Sequence, residues 1–108
     1  MKRINGSLKK YGGRFKEKTF TAAEIEYCDG RPNPAVHYAG RFAAKESIKK
    51  CILSSEILEN IDFHSIEILN TSNGAPLVSP IQKLSGYNIK VSISHEANYA
   101  IAMAILDT

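Results

Sequence analysis

Asn88-Ile89-Lys90-Val91-Ser92-Ile93-Ser94-His95, followed after Glu96-Ala97-Asn98 by Tyr99-Ala100-Ile101-Ala102-Met103-Ala104-Ile105-Leu106, is the stretch on which the fold turns. Its first half alternates. Ile89, Val91 and Ile93 fall on one side and Lys90, Ser92 and Ser94 on the other, the period of a half-buried strand. The second run is apolar throughout, which suits a buried strand or a helix equally. The short polar break between the two favours an antiparallel hairpin. Moving toward the amino terminus, Ser65-Ile66-Glu67-Ile68-Leu69 has strand composition, and Asn73-Gly74 just beyond it is a hairpin-turn signal.

The first half of the chain has a helical period instead. Ile4, Leu8 and Tyr11 recur at spacings of four and three, predicting a helix over Lys2–Tyr11 that Gly12-Gly13 ends or interrupts. Thr21 with Glu24 is a capping-box pattern that predicts a short helix through about Cys28. Asp29-Gly30-Arg31-Pro32-Asn33-Pro34 is turn-rich and predicts a loop. Ala35 to about Leu53 then predicts one long helix. Helices followed by strands define an α+β class, helices packed on one face of a small antiparallel sheet. At 108 residues, 44% hydrophobic and 23% charged, the chain predicts a single domain over 1–108.

No apolar run approaches the roughly 20 residues that span a bilayer. The first twenty residues are basic without an apolar block, so no signal peptide is expected, and the protein is placed in the cytoplasm. In that compartment Cys28 and Cys51 are expected as free thiols. The net charge is +3, and Lys2, Arg3, Lys9, Lys10, Arg14, Lys16 and Lys18 crowd the amino-terminal stretch. Such a patch suits an acidic partner, and a solvated helix face equally well. Nucleic acid is disfavoured as that partner, because the interleaved aromatic and basic strands of a stacking platform are absent.

Two polar clusters stand out from this framework. In Arg41-Phe42-Ala43-Ala44-Lys45-Glu46-Ser47-Ile48-Lys49-Lys50, Glu46 and Lys50 are four apart and share a helix face. A Glu–Lys pair at this spacing is ordinarily surface decoration, worth about 0.2–0.5 kcal/mol. Ala39 and Ala43, a turn away, leave room for a backbone or a ligand. In Ser92-Ile93-Ser94-His95-Glu96, His95 stands where a strand gives way to a turn. Ser94 and His95 point to opposite faces of a strand, so they do not form a nucleophile–base pair. The His and Cys residues also lack the spacing of a structural zinc site.

Together the clusters become informative. Arg41-Phe42-Ala43-Ala44-Lys45-Glu46, followed some fifty residues on by Val91-Ser92-Ile93-Ser94-His95-Glu96-x-x-Tyr99-Ala100, resembles the holo-(acyl-carrier-protein) synthase family. Phe20-Thr21-x-x-Glu24-Ile25-x-x-Cys28, Ile66-Glu67-Ile68 and Asn73-Gly74-Ala75-Pro76 extend the resemblance over nearly the whole chain. It implies a 4′-phosphopantetheinyl transferase-like fold and a transfer of the phosphopantetheine arm of coenzyme A to a serine of an apo acyl carrier protein. Adenosine 3′,5′-bisphosphate would be the second product. Displacement at a pyrophosphate phosphorus requires charge neutralisation and alignment, a task that suits Mg2+.

By position, the resemblance makes Glu46 a metal ligand and an aid, through water, to deprotonation of the attacking serine. It gives Lys50 the coenzyme A phosphates, places Arg41 and His95 at the nucleotide pocket, and puts Pro76 near the adenine. Arg3 would dock an acidic helix of the carrier protein, with Lys10 and Arg14 as helpers by charge. A homotrimer with sites between neighbouring subunits is implied; nucleic acid and membrane partners are not. Three departures accompany the resemblance. The family opens with a strand bearing a Gly-x-Asp metal ligand, whereas Met1-Lys2-Arg3-Ile4 stands where the following helix begins. Either the chain starts at an internal methionine, or it is a relative that binds coenzyme A or a carrier protein without catalysis. Glu96 or another carboxylate is open as a replacement ligand. Cys51-Ile52-Leu53-Ser54-Ser55 replaces the family's Gly-Thr-Gly turn, and Ala75 replaces a lysine.

Overall fold

The structure is a computed structural model that describes residues 13–95 and 100–107. The helix expected over Lys2–Tyr11, with Arg3 and Lys10, lies outside the described residues, as does Glu96. Helix α1 spans Gly13–Thr19, α2 Ala22–Asp29 and α3 Pro34–Ser54; strands β1 Ile68–Asn70, β2 Pro76–Val78, β3 Asn88–His95 and β4 Ala100–Asp107 follow.

Helix α1 begins at Gly13, and what the Gly12-Gly13 pair does to the helix expected before it lies outside the described residues. Phe15 stacks edge-on against Phe20 at 6.1 Å and tilts against Phe42 at 6.3 Å. Helix α2 begins with the expected capping box. The Thr21 amide donates to Glu24 Oε1 at 2.9 Å, and the Glu24 amide donates to Thr21 Oγ1 at 3.3 Å. Pro34 occupies the first turn of α3, where its missing N–H costs nothing. One stripe of α3 carries Arg41, Lys45, Ile48 and Ile52 at spacings of four, three and four, all buried. Ile48 and Ile52 join Ile66, Ile68 and Leu84 in the main core. Each such aliphatic chain contributes about 1.5–3 kcal/mol on burial.

The strand expected at Ser65–Leu69 is shorter and later. Phe63–Ser65 form a 3-10 turn, and β1 starts at Ile68. The reason is in α3: the Lys45 ammonium takes the carbonyls of Phe63 and Ile66 and commits that segment to the helix. Strand β1 pairs antiparallel with β2 in the register Ile68↔Val78 and Asn70↔Pro76. Gly74, at φ 89°, makes the turn between them. Strands β3 and β4 pair antiparallel from Asn88↔Asp107 to His95↔Ala100, which settles the apolar run as a strand. The one sheet expected is thus two hairpins, with α3 lying across both.

On β4 the alanines Ala102 and Ala104 face the core, where the Ser47 hydroxyl of α3 donates to the Ala102 carbonyl at 3.0 Å. Close approach of the helix requires small residues there. The bulky side chains point outward: Ile101, Met103 and Ile105 are 61%, 67% and 58% exposed. Among the described residues, no helix is long and apolar enough to cross a membrane.

Cys28 and Cys51 are both free. Burial pushes the Cys28 thiol up to about 11, outweighing the opposing field of Arg41. A thiol-selective maleimide at neutral pH should therefore modify Cys51 and leave Cys28 until the protein is denatured; peptide mapping reads the difference. Rapid labelling of Cys28 in the folded protein would contradict this burial.

Candidate active site

Three separate elements meet at a cleft of about 160 Å³. Tyr27 comes from α2, Arg41 from α3, and Asn70, Gly74 and Pro76 from the β1–β2 hairpin, with Ile93 of β3 at the rim. Arg41 dominates its chemistry. The side chain is only 5% exposed, its Nη2 donates to Asn70 Oδ1, and its guanidinium lies 4.5 Å from the centre of the Tyr27 ring. Asn70 is held for this task because its Nδ2 donates to the Gly74 carbonyl at 2.9 Å, leaving its oxygen to face Arg41. Arg41 forms no ion pair among the described residues, and its Nε has no hydrogen-bond partner. A buried cation without a counter-charge is costly, so this cleft favours an anion.

One turn along α3 from Arg41, a second buried charge is fully compensated. Lys45 and Glu24 are both 0% exposed, with Nζ and Oε1 2.7 Å apart. The Lys45 ammonium donates also to the carbonyls of Phe63, at 2.9 Å, and Ile66. That uses all three of its protons. Glu24 Oε2 accepts the Ile68 amide at 2.9 Å. The capping carboxylate of α2 thus also joins α3 to the start of β1. Desolvation pulls the Lys45 ammonium below its ordinary value, and Glu24 opposes that shift. This junction fixes the three elements that carry Tyr27, Arg41 and Asn70.

Arg41 and Pro76 line the same cleft. His95 closes β3, opposite Ala100, two residues beyond Ile93. Glu46 is half-buried and Lys50 exposed on α3, and they make no ion pair with each other. At 3.6 residues per turn, Lys50 lies two and a half turns from Arg41, on the opposite side of the helix. Arg14 is exposed on α1, at a groove shared with Phe15 and Lys18. Among the described residues no group of three or more His, Cys, Asp or Glu side chains gathers as a metal cage. Glu46, put forward from the sequence as a metal ligand, offers one carboxylate, a donor of the kind Mg2+ takes when phosphate oxygens and water complete its shell.

Sequence reasoning missed Tyr27, Asn70 and the Glu24–Lys45 pair. A signal for the pair exists: Arg41 and Lys45 occupy the same helical stripe as Ile48 and Ile52, a place where a charge must find a partner. Nothing local distinguishes Tyr27 or Asn70.

A small α+β domain with α3 laid across two hairpins presents, in a cleft, a guanidinium that has no ion pair among the described residues, a setting that suits an anionic ligand. Solved structures share the fold. The holo-(acyl-carrier-protein) synthase of Helicobacter pylori in complex with coenzyme A superposes with a TM-score of 0.78 at 27% identity, covering 98% of this chain and 92% of that one. The Neisseria meningitidis synthase gives 0.83 at 26% identity, over 99% and 90%. In sequence, the holo-(acyl-carrier-protein) synthase of Chlorobaculum parvum is 45% identical over 104 residues, 96% of this chain and 88% of the relative. That of Protochlamydia amoebophila is 43% identical over 97% of this chain and 88% of the relative. The profile of the 4′-phosphopantetheinyl transferase superfamily matches residues 1–104. The chain belongs to that superfamily.

Proposed function

We propose that this chain is a holo-(acyl-carrier-protein) synthase, transferring the 4′-phosphopantetheine group of coenzyme A to a serine of an apo acyl carrier protein. The observation that carries the reading is Arg41, buried without a counter-charge among the described residues, in a chain that matches synthases along almost its full length. In the reaction the serine Oγ–P bond forms and the bridging P–O bond of the pyrophosphate breaks. The serine proton leaves to a base, and adenosine 3′,5′-bisphosphate departs. Arg41 supplies positive charge to the nucleotide's phosphates, Pro76 provides an apolar wall for the base, and His95 closes the strand beside them. Glu46 holds the one carboxylate assigned to Mg2+ and receives the serine proton through water. Bound Mg2+ would neutralise charge on the phosphate oxygens. Arg14, together with the charge that Arg3 and Lys10 add to the amino-terminal stretch, would attract an acidic carrier protein. Two unpaired cysteines suit the reducing cytoplasm.

We assign the active assembly as a homotrimer. Bulky apolar side chains on the outer face of β4, against alanines on its inner face, form a surface that wants a protein partner. Placement of Arg41 and Lys50 on opposite sides of α3 supports a site to which two subunits contribute. Met103→Glu should therefore yield monomer by light scattering and lower turnover at least tenfold. Chains bearing Arg41→Ala and chains bearing Lys50→Ala, each impaired alone, should regain activity when refolded together. Failure of mixtures to exceed the separate variants would argue for a site built within one chain.

The reading as a whole is tested by incubating the full chain with apo acyl carrier protein, coenzyme A and magnesium, and weighing the carrier. A gain of one phosphopantetheine is expected. Coenzyme A binding without any gain would identify a binding-only relative.

A further inference from the structure

The turn that carries Gly74 to the cleft contains a residue pair with chemistry of its own. Asn73 and Gly74 are both exposed. In an Asn-Gly pair the following amide nitrogen can reach the side-chain amide carbon, and glycine puts no side chain in its way. Gly74 stands at φ 89°, and among the described residues nothing lies within 4 Å of where its Cβ would stand. Asn60, Asn70 and Asn88 precede Ile61, Thr71 and Ile89, whose branched side chains hinder the same attack. The Asn73 amide is also held and polarised. The Ala75 amide donates to Thr71 Oγ1 at 3.2 Å, which leaves the Thr71 hydroxyl proton for its hydrogen bond to Asn73 Oδ1. That bond draws electron density from the Asn73 amide carbon and strengthens as negative charge builds on the oxygen. The Gly74 N–H donates to the Thr71 carbonyl at 2.9 Å and must release it first, a modest cost in an exposed turn.

We propose that Asn73 is a deamidation site whose conversion disables the cleft. Hydroxide takes the Gly74 amide proton, the nitrogen bonds to Asn73 Cγ, and the Cγ–Nδ2 bond breaks. Ammonia leaves, its proton supplied by water. Water then opens the cyclic imide at either carbonyl, giving aspartate or isoaspartate. Both add a negative charge at the turn, and isoaspartate also inserts a methylene into the main chain just before Gly74. The Gly74 carbonyl accepts from Asn70 Nδ2 at 2.9 Å, the bond that leaves Asn70 Oδ1 facing Arg41. Displacing that carbonyl lets the Asn70 amide turn and withdraws the neutral partner of Arg41. The consequence for coenzyme A rests on the proposed function, whereas the modification itself does not. The pair that makes the turn is thus a slow, one-way timer on the site beside it.

The test holds the full chain at mildly alkaline pH, follows each asparagine by peptide mapping, and follows coenzyme A affinity by calorimetry. Acid should accumulate at position 73, faster as pH rises, while Asn60, Asn70 and Asn88 stay amides. Asn5-Gly6, the same pair near the amino terminus, falls in a separate peptide and is scored apart. Thr71→Val should slow the conversion several-fold, and an unchanged rate would remove the hydroxyl from the step. Coenzyme A affinity should fall about tenfold in the aged chain. An aged Asn73→Ser chain, which has no amide to lose there, should bind as it does when fresh. Loss at Asn73 no faster than at Asn60 overturns the modification site. Unchanged affinity in a chain converted at position 73 overturns its effect on the cleft. A fresh chain that does not bind coenzyme A overturns the proposed function, while the mapping still decides the modification.

Discussion

Glu46→Gln is expected to lower phosphopantetheine transfer by about 10²–10⁴-fold, the range for loss of a positioned acid–base group. The amide keeps the shape of the side chain but removes its charge and its capacity to take a proton. Because Glu46 is half-buried and carries no ion pair among the described residues, the fold should not suffer. Thermal unfolding should thus remain within a degree or two of the parent while the carrier protein stays unmodified by mass. Magnesium titration adds a second reading: the residual activity of the variant should require a higher concentration of the ion. Full activity at ordinary magnesium would remove Glu46 from the mechanism.

The neighbouring residue should behave in the opposite way. Lys45→Met leaves the Glu24 carboxylate buried and unpaired, and strips the Phe63 and Ile66 carbonyls of a donor. Breaking one side of a buried pair costs about 3–5 kcal/mol. At roughly 4–8 °C per kcal/mol for a domain of this size, the midpoint of unfolding should fall by well over 10 °C. Since assembly couples to stability, parent and variant need equal protein concentrations. Adding Glu24→Gln removes the stranded charge, so the double variant should be less destabilised than the sum of the single changes. A loss below 1 kcal/mol for Lys45→Met would show that water or rearrangement satisfies Glu24. Adjacent residues in one motif therefore separate by readout: Glu46 moves turnover, and Lys45 moves stability.

Much of this was written locally. The alternation of Ile89, Val91 and Ile93 predicts β3, Thr21 and Glu24 predict the start of α2, and Asn73-Gly74 predicts the turn between β1 and β2. These are short-range effects, set by side-chain period, capping and backbone conformation, so a reader of residues finds them. Residues 13–19 were less legible, because what holds that turn of helix is the packing of Phe15 against Phe20 and the distant Phe42. Equally hidden was the late start of β1, because a lysine eighteen or more positions upstream holds the carbonyls of Phe63 and Ile66.

By itself, then, the order of residues determined the α+β class, the hairpin ends, the long helix bearing Arg41, Glu46 and Lys50, and the likeness to the synthases. Tertiary structure alone decided which charges are paired and which await a ligand. Lys45 and Arg41 look alike on the helix stripe, four residues apart. Only when α2 and β1 close over α3 does Lys45 meet a carboxylate, while Arg41 meets an amide oxygen and an aromatic face. Local pattern cannot distinguish them, because the partner of a buried charge is chosen by chain segments brought together from far along the sequence.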